Sequence, residues 1–155
     1  MADAYIWSAS PHYNGGSSNT LYTGWVCNGE KRSLLRFDLD VIPAGATIDS
    51  ADLHIYVETI NSQVVQVHRI TAPWMEDKVT WNNFGNSFAP GIEASFVGDS
   101  EGFHQADVTS LVRAWVNGLA NYGLLLEENL SDHHSYRSSE YSIIQYRPYL
   151  KVCYH

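Results

Sequence analysis

Ser33-Leu34-Leu35-Arg36-Phe37-Asp38-Leu39, the turn Ile42-Pro43-Ala44-Gly45-Ala46 and the run Ala51-Asp52-Leu53-His54-Ile55-Tyr56-Val57 decide how this chain folds. Leu35, Phe37 and Leu39 alternate with Leu34, Arg36 and Asp38, a period of two that sets three apolar side chains on one face of a strand. Pro43 presets φ and Gly45 tolerates a positive φ, so the chain reverses between the two runs. Ala51, Leu53, Ile55 and Val57 then alternate with Asp52, His54, Tyr56 and Glu58. The alternation predicts two half-buried strands, paired at the centre of an antiparallel sheet, with Leu35, Phe37, Leu53 and Ile55 in the core.

Outward from this centre, Asp3 to Ser8 and Leu21 to Val26 read as short strands, with Asn28-Gly29 as a tight hairpin turn. Asn14-Gly15-Gly16-Ser17-Ser18-Asn19 reads as a polar surface loop. Val65, Val67 and Ile70 continue the strand series, with an irregularity expected near Arg69. Thr71 to Gly91 keeps no period but carries Trp74, Trp81, Phe84 and Phe88, which predicts a long connection between sheets pinned by aromatic side chains. Ile92 to Val97 and Gly102 to Ala106 are short strands. Asp107 to Asn117 is the one predicted helix: Asp107 suits an N-cap, Val108, Leu111, Val112 and Trp115 recur at helical spacing, and Gly118 suits a left-handed stop. Gly123 to Glu128 reads as an interior strand with Leu125 in the core. Asn129 to His134 reads as a polar loop, and Tyr136 to Ile144 and Tyr149 to Tyr154 as closing strands. Short strands without βαβ alternation make an all-β sandwich with one short α-helix.

The 155 residues fit a single domain that buries roughly 70% of its unfolded surface, so the core needs no metal or disulfide. Seventeen acidic against nine basic residues give a net charge of −8, which disfavours nucleic acid and anionic membrane as partners. The same field opposes a polyanionic glycan unless a local basic patch outweighs it, and Arg32 and Arg36, sharing strand parity, would start such a patch. Cys27 and Cys153 are compatible with a disulfide or with two separate thiols. Met1-Ala2-Asp3 leads straight into the first strand without a signal peptide, and no run is long enough for membrane insertion as a helix.

The pattern resembles the DNRLRE domain family, which includes the carbohydrate-binding modules of family ninety-six and domains of archaeal disaggregatase-type surface proteins. The resemblance rests on Ser33 to Leu39, Ile42 to Ala46 and Ser50-Ala51-Asp52-Leu53. It extends to Asp3-Ala4-Tyr5, Trp74, Val79-Thr80-Trp81-Asn82 and Asp107-Val108-Thr109-Ser110-Leu111-Val112 through Trp115. Asn121-Tyr122-Gly123-Leu124-Leu125-Leu126, Ser138-Ser139-Glu140 and Arg147-Pro148-Tyr149-Leu150 complete it. The resemblance implies a jelly-roll β-sandwich over residues 1–155, a single carbohydrate-binding domain excised from a larger secreted or cell-surface protein with attached catalytic or surface domains. No cofactor is required on this basis, although such modules often carry structural calcium.

Catalytic constellations are missing. Glu76-Asp77 and Glu127-Glu128 are adjacent pairs that point to opposite faces, and Ser138-Ser139-Glu140 lacks the glycine-flanked elbow of a nucleophilic serine. His133-His134 beside Asp132 reads as an exposed loop cluster. The chain is therefore expected not to be an enzyme. Sugar recognition instead needs aromatic platforms and fixed polar groups. Tyr22, Trp25, Tyr56, Tyr136, Tyr141 and Tyr146 are candidate platforms. Arg36 is the expected donor to a uronic carboxylate or vicinal hydroxyls, with Glu140 as the carboxylate that orients it. With Tyr56, His68 and Arg137 they would form a binding floor on the polar face of the central strands. The expected function is a non-catalytic module for a polysaccharide, with uronic-acid-containing glycans among the candidates. A structural or adhesive module without its own sugar site is the alternative.

Overall fold

A computed structural model describes residues 1–155. Ten strands are β1 (Ala2–Trp7), β2 (Thr20–Val26), β3 (Gly29–Arg36), β4 (Ile48–Thr59), β5 (Val64–Arg69), β6 (Ala94–Val97), β7 (Gly102–Asp107), β8 (Leu124–Glu128), β9 (His133–Arg137) and β10 (Tyr149–Tyr154). Hydrogen bonds link them along the path β10-β4-β9-β2-β3-β8-β5-β6, with β1 on β3 and β7 on β4. All pairings are antiparallel. The sheet curls into a sandwich-like all-β fold whose main core joins Leu35, Val65, Val67, Leu124 and Leu126 from one half to Leu21, Ala51, Leu53, Ile55, Val57 and Tyr136 from the other.

The two central strands are not neighbours. β3 pairs with β1, β2 and β8, whereas β4 pairs with β7, β9 and β10. They face each other through the core, with Leu35, Leu53 and Ile55 fully buried and Phe37 buried just past the end of β3. Period-two alternation fixes which side chains turn inward but carries no information on which strand lies alongside.

The hairpin joining β2 to β3 turns on Cys27-Asn28 rather than Asn28-Gly29. Val26 pairs with Gly29, and Cys27 and Asn28 both take positive φ, 48° and 66°, the conformation of a two-residue type I′ turn. Cys27 and Cys153 are both free and exposed.

The connection at 71–91 does not bridge layers in the open. It lays Trp74, Val79 and Phe84 on the outer side of the first half-sheet, where they bury Ala4, Ile6, Leu34, Ile70 and Leu125 in a second core. Leu125 is thus buried, but in this second core and not the first. A single-turn helix, α1 (Trp81–Phe84), sits within the connection, begun by a Thr80–Asn83 capping box and stopped by Gly85 at φ 61°. The predicted helix forms as α2 (Thr109–Val116). Asp107 ends β7 instead of occupying the N-cap position, yet its Oδ1 still accepts from the Thr109 amide at 2.9 Å. Val108 takes the cap position without a side-chain bond.

Residues 129–134 are only partly a loop, because β9 starts at His133, and His134 is fully buried. Its Nδ1 lies 2.5 Å from Glu128 Oε2 and its Nε2 donates to the Gly98 carbonyl at 3.1 Å. Thr23, Tyr136 and Asn61 complete this network. The strand expected from Tyr136 to Ile144 stops at Arg137. An excursion at 138–148 follows before β10 resumes pairing with β4.

Candidate functional site: an aromatic outer face

The outward side of β4 carries Asp52, His54, Tyr56 and Glu58, alternating with the buried Leu53, Ile55 and Val57. Register places Phe103 of β7 opposite Tyr56, and both Gln105 of β7 and Tyr149 of β10 opposite His54. Residues directly opposite in an antiparallel pair share a face, so these side chains meet. The Phe103 and Tyr56 rings lie edge to face at 5.4 Å, Phe103 and Tyr149 at 5.6 Å, and His54 stacks on Tyr149 at 4.5 Å. Phe103 is 39% and Tyr149 44% exposed, so the face presents open ring surface to solvent.

The excursion at 138–148 raises a wall beside this platform. Tyr146, in a 3₁₀ turn over Ile144–Tyr146, lies 5.2 Å from Tyr56, and Tyr141 lies 6.4 Å from Tyr146. Arg147 Nε holds the loop by donating to the Tyr141 carbonyl at 2.7 Å. The Arg137 guanidinium lies among the three rings, 4.0 Å from Tyr56, 4.4 Å from Tyr141 and 4.8 Å from Tyr146. Its Nε donates to Glu58 Oε1 at 3.0 Å. Neither Nη makes a hydrogen bond within the protein. The guanidinium is thereby fixed in orientation, with both Nη groups left without a protein partner; a planar donor edge of this kind suits a carboxylate or a pair of hydroxyls.

Tyr56 and Arg137 are therefore brought together, but the five expected residues do not form one floor. Arg36 and His68 lie on the other half-sheet, on the side covered by the 71–91 connection. Arg36 packs 5.3 Å from the Trp74 ring and donates from Nη1 to the Trp74 carbonyl at 3.2 Å. It makes no ion pair with Glu140. His68 is 3% exposed. Its Nδ1–H is shared between the Ala89 and Gly91 carbonyls at 3.0 Å, because carbonyls only accept. Its Nε2 faces Glu127 Oε1 at 2.7 Å, off the hydrogen-bonding direction. Glu140 is exposed on the excursion, near Asp3, and its amide donates to Ser138 Oγ. Among the candidate platforms, Tyr136 is fully buried and its burial pushes the phenol well above its ordinary range.

Phe103, His54 and Tyr149 joined the site without being expected there. An aromatic residue on a short strand gives no sign of which strand it faces, although the alternation of β4 already turned His54 outward beside Tyr56. The arrangement contains stacking surface and hydrogen-bond donors but no nucleophile–base pair. No cluster of three or more His, Cys, Asp or Glu side chains has the geometry to hold a metal ion.

The model of carbohydrate-binding module family 96 matches residues 1–154. No curated protein matches the chain. A sandwich-like β fold, an exposed ring platform beside a pinned guanidinium and a match across nearly the whole length agree: the chain belongs to carbohydrate-binding module family 96.

Proposed function

We propose that this domain binds a polysaccharide, without acting on it, along the outer face formed by Phe103, Tyr149, His54, Tyr56 and Tyr146. The observation that carries the proposal is the cluster of Arg137, Tyr56, Tyr141 and Tyr146. Apolar faces of pyranose rings pack on aromatic side chains, and hydroxyl or carboxylate oxygens take the free Nη donors. The unpaired Nη donors of Arg137 make uronic-acid-containing glycans the favoured class. An extracellular location, with the module keeping attached domains of a larger protein on their polysaccharide, fits this role. No helix of the chain is long and apolar enough to cross a membrane.

Affinity electrophoresis through gels of neutral and uronic-acid polysaccharides tests the proposal. Retardation should occur with at least one gel and be lost in a Tyr56→Ala, Tyr146→Ala double variant of unchanged circular dichroism. Retardation that survives the double variant moves the site elsewhere. A folded protein that no glycan retards points to a structural or adhesive role.

A further inference from the structure

Asn129-Leu130-Ser131, between β8 and β9, takes no part in the outer aromatic face. Among the asparagines of the chain, Asn129 alone is followed two positions on by serine or threonine, and the residue between them is not proline. Transfer of an N-linked glycan needs that spacing, because the transferase grips the hydroxyl of the third residue while the amide of the first reacts. All three residues are exposed, Leu130 at 44%. The ends of the stretch are anchored: Glu128 is buried against His134, and the Asp132 carbonyl accepts from the Trp25 amide at 3.0 Å. The two half-sheets thus hold a short tip in solvent, where bulky additions are tolerated.

Within the tip, Asn129 Oδ1 accepts from the Ser131 amide at 3.0 Å, an Asx turn that brings the carboxamide close to the serine. Asn129 Nδ2 makes no hydrogen bond within the protein. Asn14, Asn61, Asn83 and Asn121 differ, since their Nδ2 groups each donate to a backbone carbonyl. An asparagine so committed would forfeit that bond on modification, whereas Asn129 has none to lose. The Ser131 hydroxyl bonds the Gln63 side chain, an exposed contact that a competing partner can displace. Ser62, Gln63, Gln66 and Glu127 line an open cleft of about 610 Å³ beside Asn129, with Val64 as its single apolar wall. A sugar attached to Asn129 would lie along polar side chains and displace no packed contact.

We propose that Asn129 is the acceptor of an N-linked glycan. The donor is an oligosaccharide joined to a lipid through a diphosphate. A bond forms between Asn129 Nδ2 and the anomeric carbon, and the bond from that carbon to the diphosphate oxygen breaks. The lipid diphosphate leaves with the electron pair, Nδ2 gives one proton to a base of the transferase, and nothing is oxidised or reduced. The inference rests on the extracellular location proposed above, which takes the chain past such a transferase, and not on where the module binds its polysaccharide.

Directing the whole domain through the secretory pathway of a eukaryotic cell tests it, with intact-mass measurement and peptide mapping of the product. The wild type should carry one glycan, on Asn129, and peptide N-glycosidase should remove it and leave an aspartate there. Asn129→Gln and Ser131→Ala should abolish the addition, and Ser131→Thr should keep it. A wild type without a glycan overturns the proposal, as does a glycan that Asn129→Gln leaves in place. Glycosylated protein retained in the cell while Asn129→Gln is secreted overturns it too, because the tip would then not tolerate the addition. The leader supplied for the experiment removes native location from the outcome, so a negative result falls on Asn129 alone. Absence of retardation in every polysaccharide gel overturns the binding reading and leaves the glycan result standing.

Discussion

Arg137 lies with its guanidinium 4.0 Å from the centre of the Tyr56 ring while its Nε bonds Glu58 Oε1 at 3.0 Å, two contacts made to the same outward edge of β4. Residues 56 and 58 are two apart on a strand and so share a face. The arginine thus bridges a ring and a carboxylate that the strand itself aligns, and its two Nη groups are left without a protein partner.

Replacing Arg137 by Ala should weaken glycan binding about tenfold or more, the value of a charge-assisted pair. Stability should change by less than about 1 kcal/mol, since the Glu58 pair is partly exposed. Lysine should not restore affinity, because a point charge lacks the planar fork. Isothermal titration with the retained polysaccharide, alongside urea unfolding, checks both halves.

Tyr149→Ala removes the most open ring of the platform and its stack with His54. Affinity should fall by about 0.5 to 1.5 kcal/mol from the lost stacking, with the melting temperature nearly unchanged because the ring is 44% exposed. A large fall in melting temperature would show that the ring supports the sheet.

Asp3 should make stability depend on pH. Burial is the main cause that lifts its carboxyl from 3.8 to about 6, opposed by the bonds from the Ser139 amide and hydroxyl and reinforced by Glu76 and Glu140. The folded state therefore holds this proton more tightly than the unfolded chain. Stability from this group is absent at neutral pH, grows as pH falls through about 6 and levels off below 3.8. The gain between about pH 7 and about pH 5 should be about 1 kcal/mol. Urea unfolding at the two pH values, with Asp3→Asn as reference, should show that gain in the wild type and not in the variant.

Gly123→Ala should destabilise the fold strongly. Gly123 has φ 89°, and a Cβ there would collide with the Leu35 carbonyl, so both strain and a clash with backbone oppose the substitution. Leu53→Ala, in the main core and fully buried, should cost about 2 to 5 kcal/mol. Chemical denaturation measures both, and a loss below about 1 kcal/mol at Leu53 would contradict its place in the core.

The local terms of this protein were legible along the chain: the all-β class, the inward and outward faces of β3 and β4, the position of α2 within two residues, and the family. Each follows from periodicity, capping and turn chemistry, which act over a few residues. Tertiary structure decided what each outward face became. Arg36 and Tyr56 both read as outward residues on good strands, yet Trp74 from 38 positions away covers Arg36, while Tyr56 stays open and acquires Phe103, Tyr146 and Arg137 as neighbours. Alternation states that a side chain leaves the core, but whether it then meets solvent, a ligand or another segment depends on contacts between residues distant in the chain. Those contacts arise from the summed burial of Leu34, Leu125, Trp74 and Phe84, which no single stretch of sequence contains.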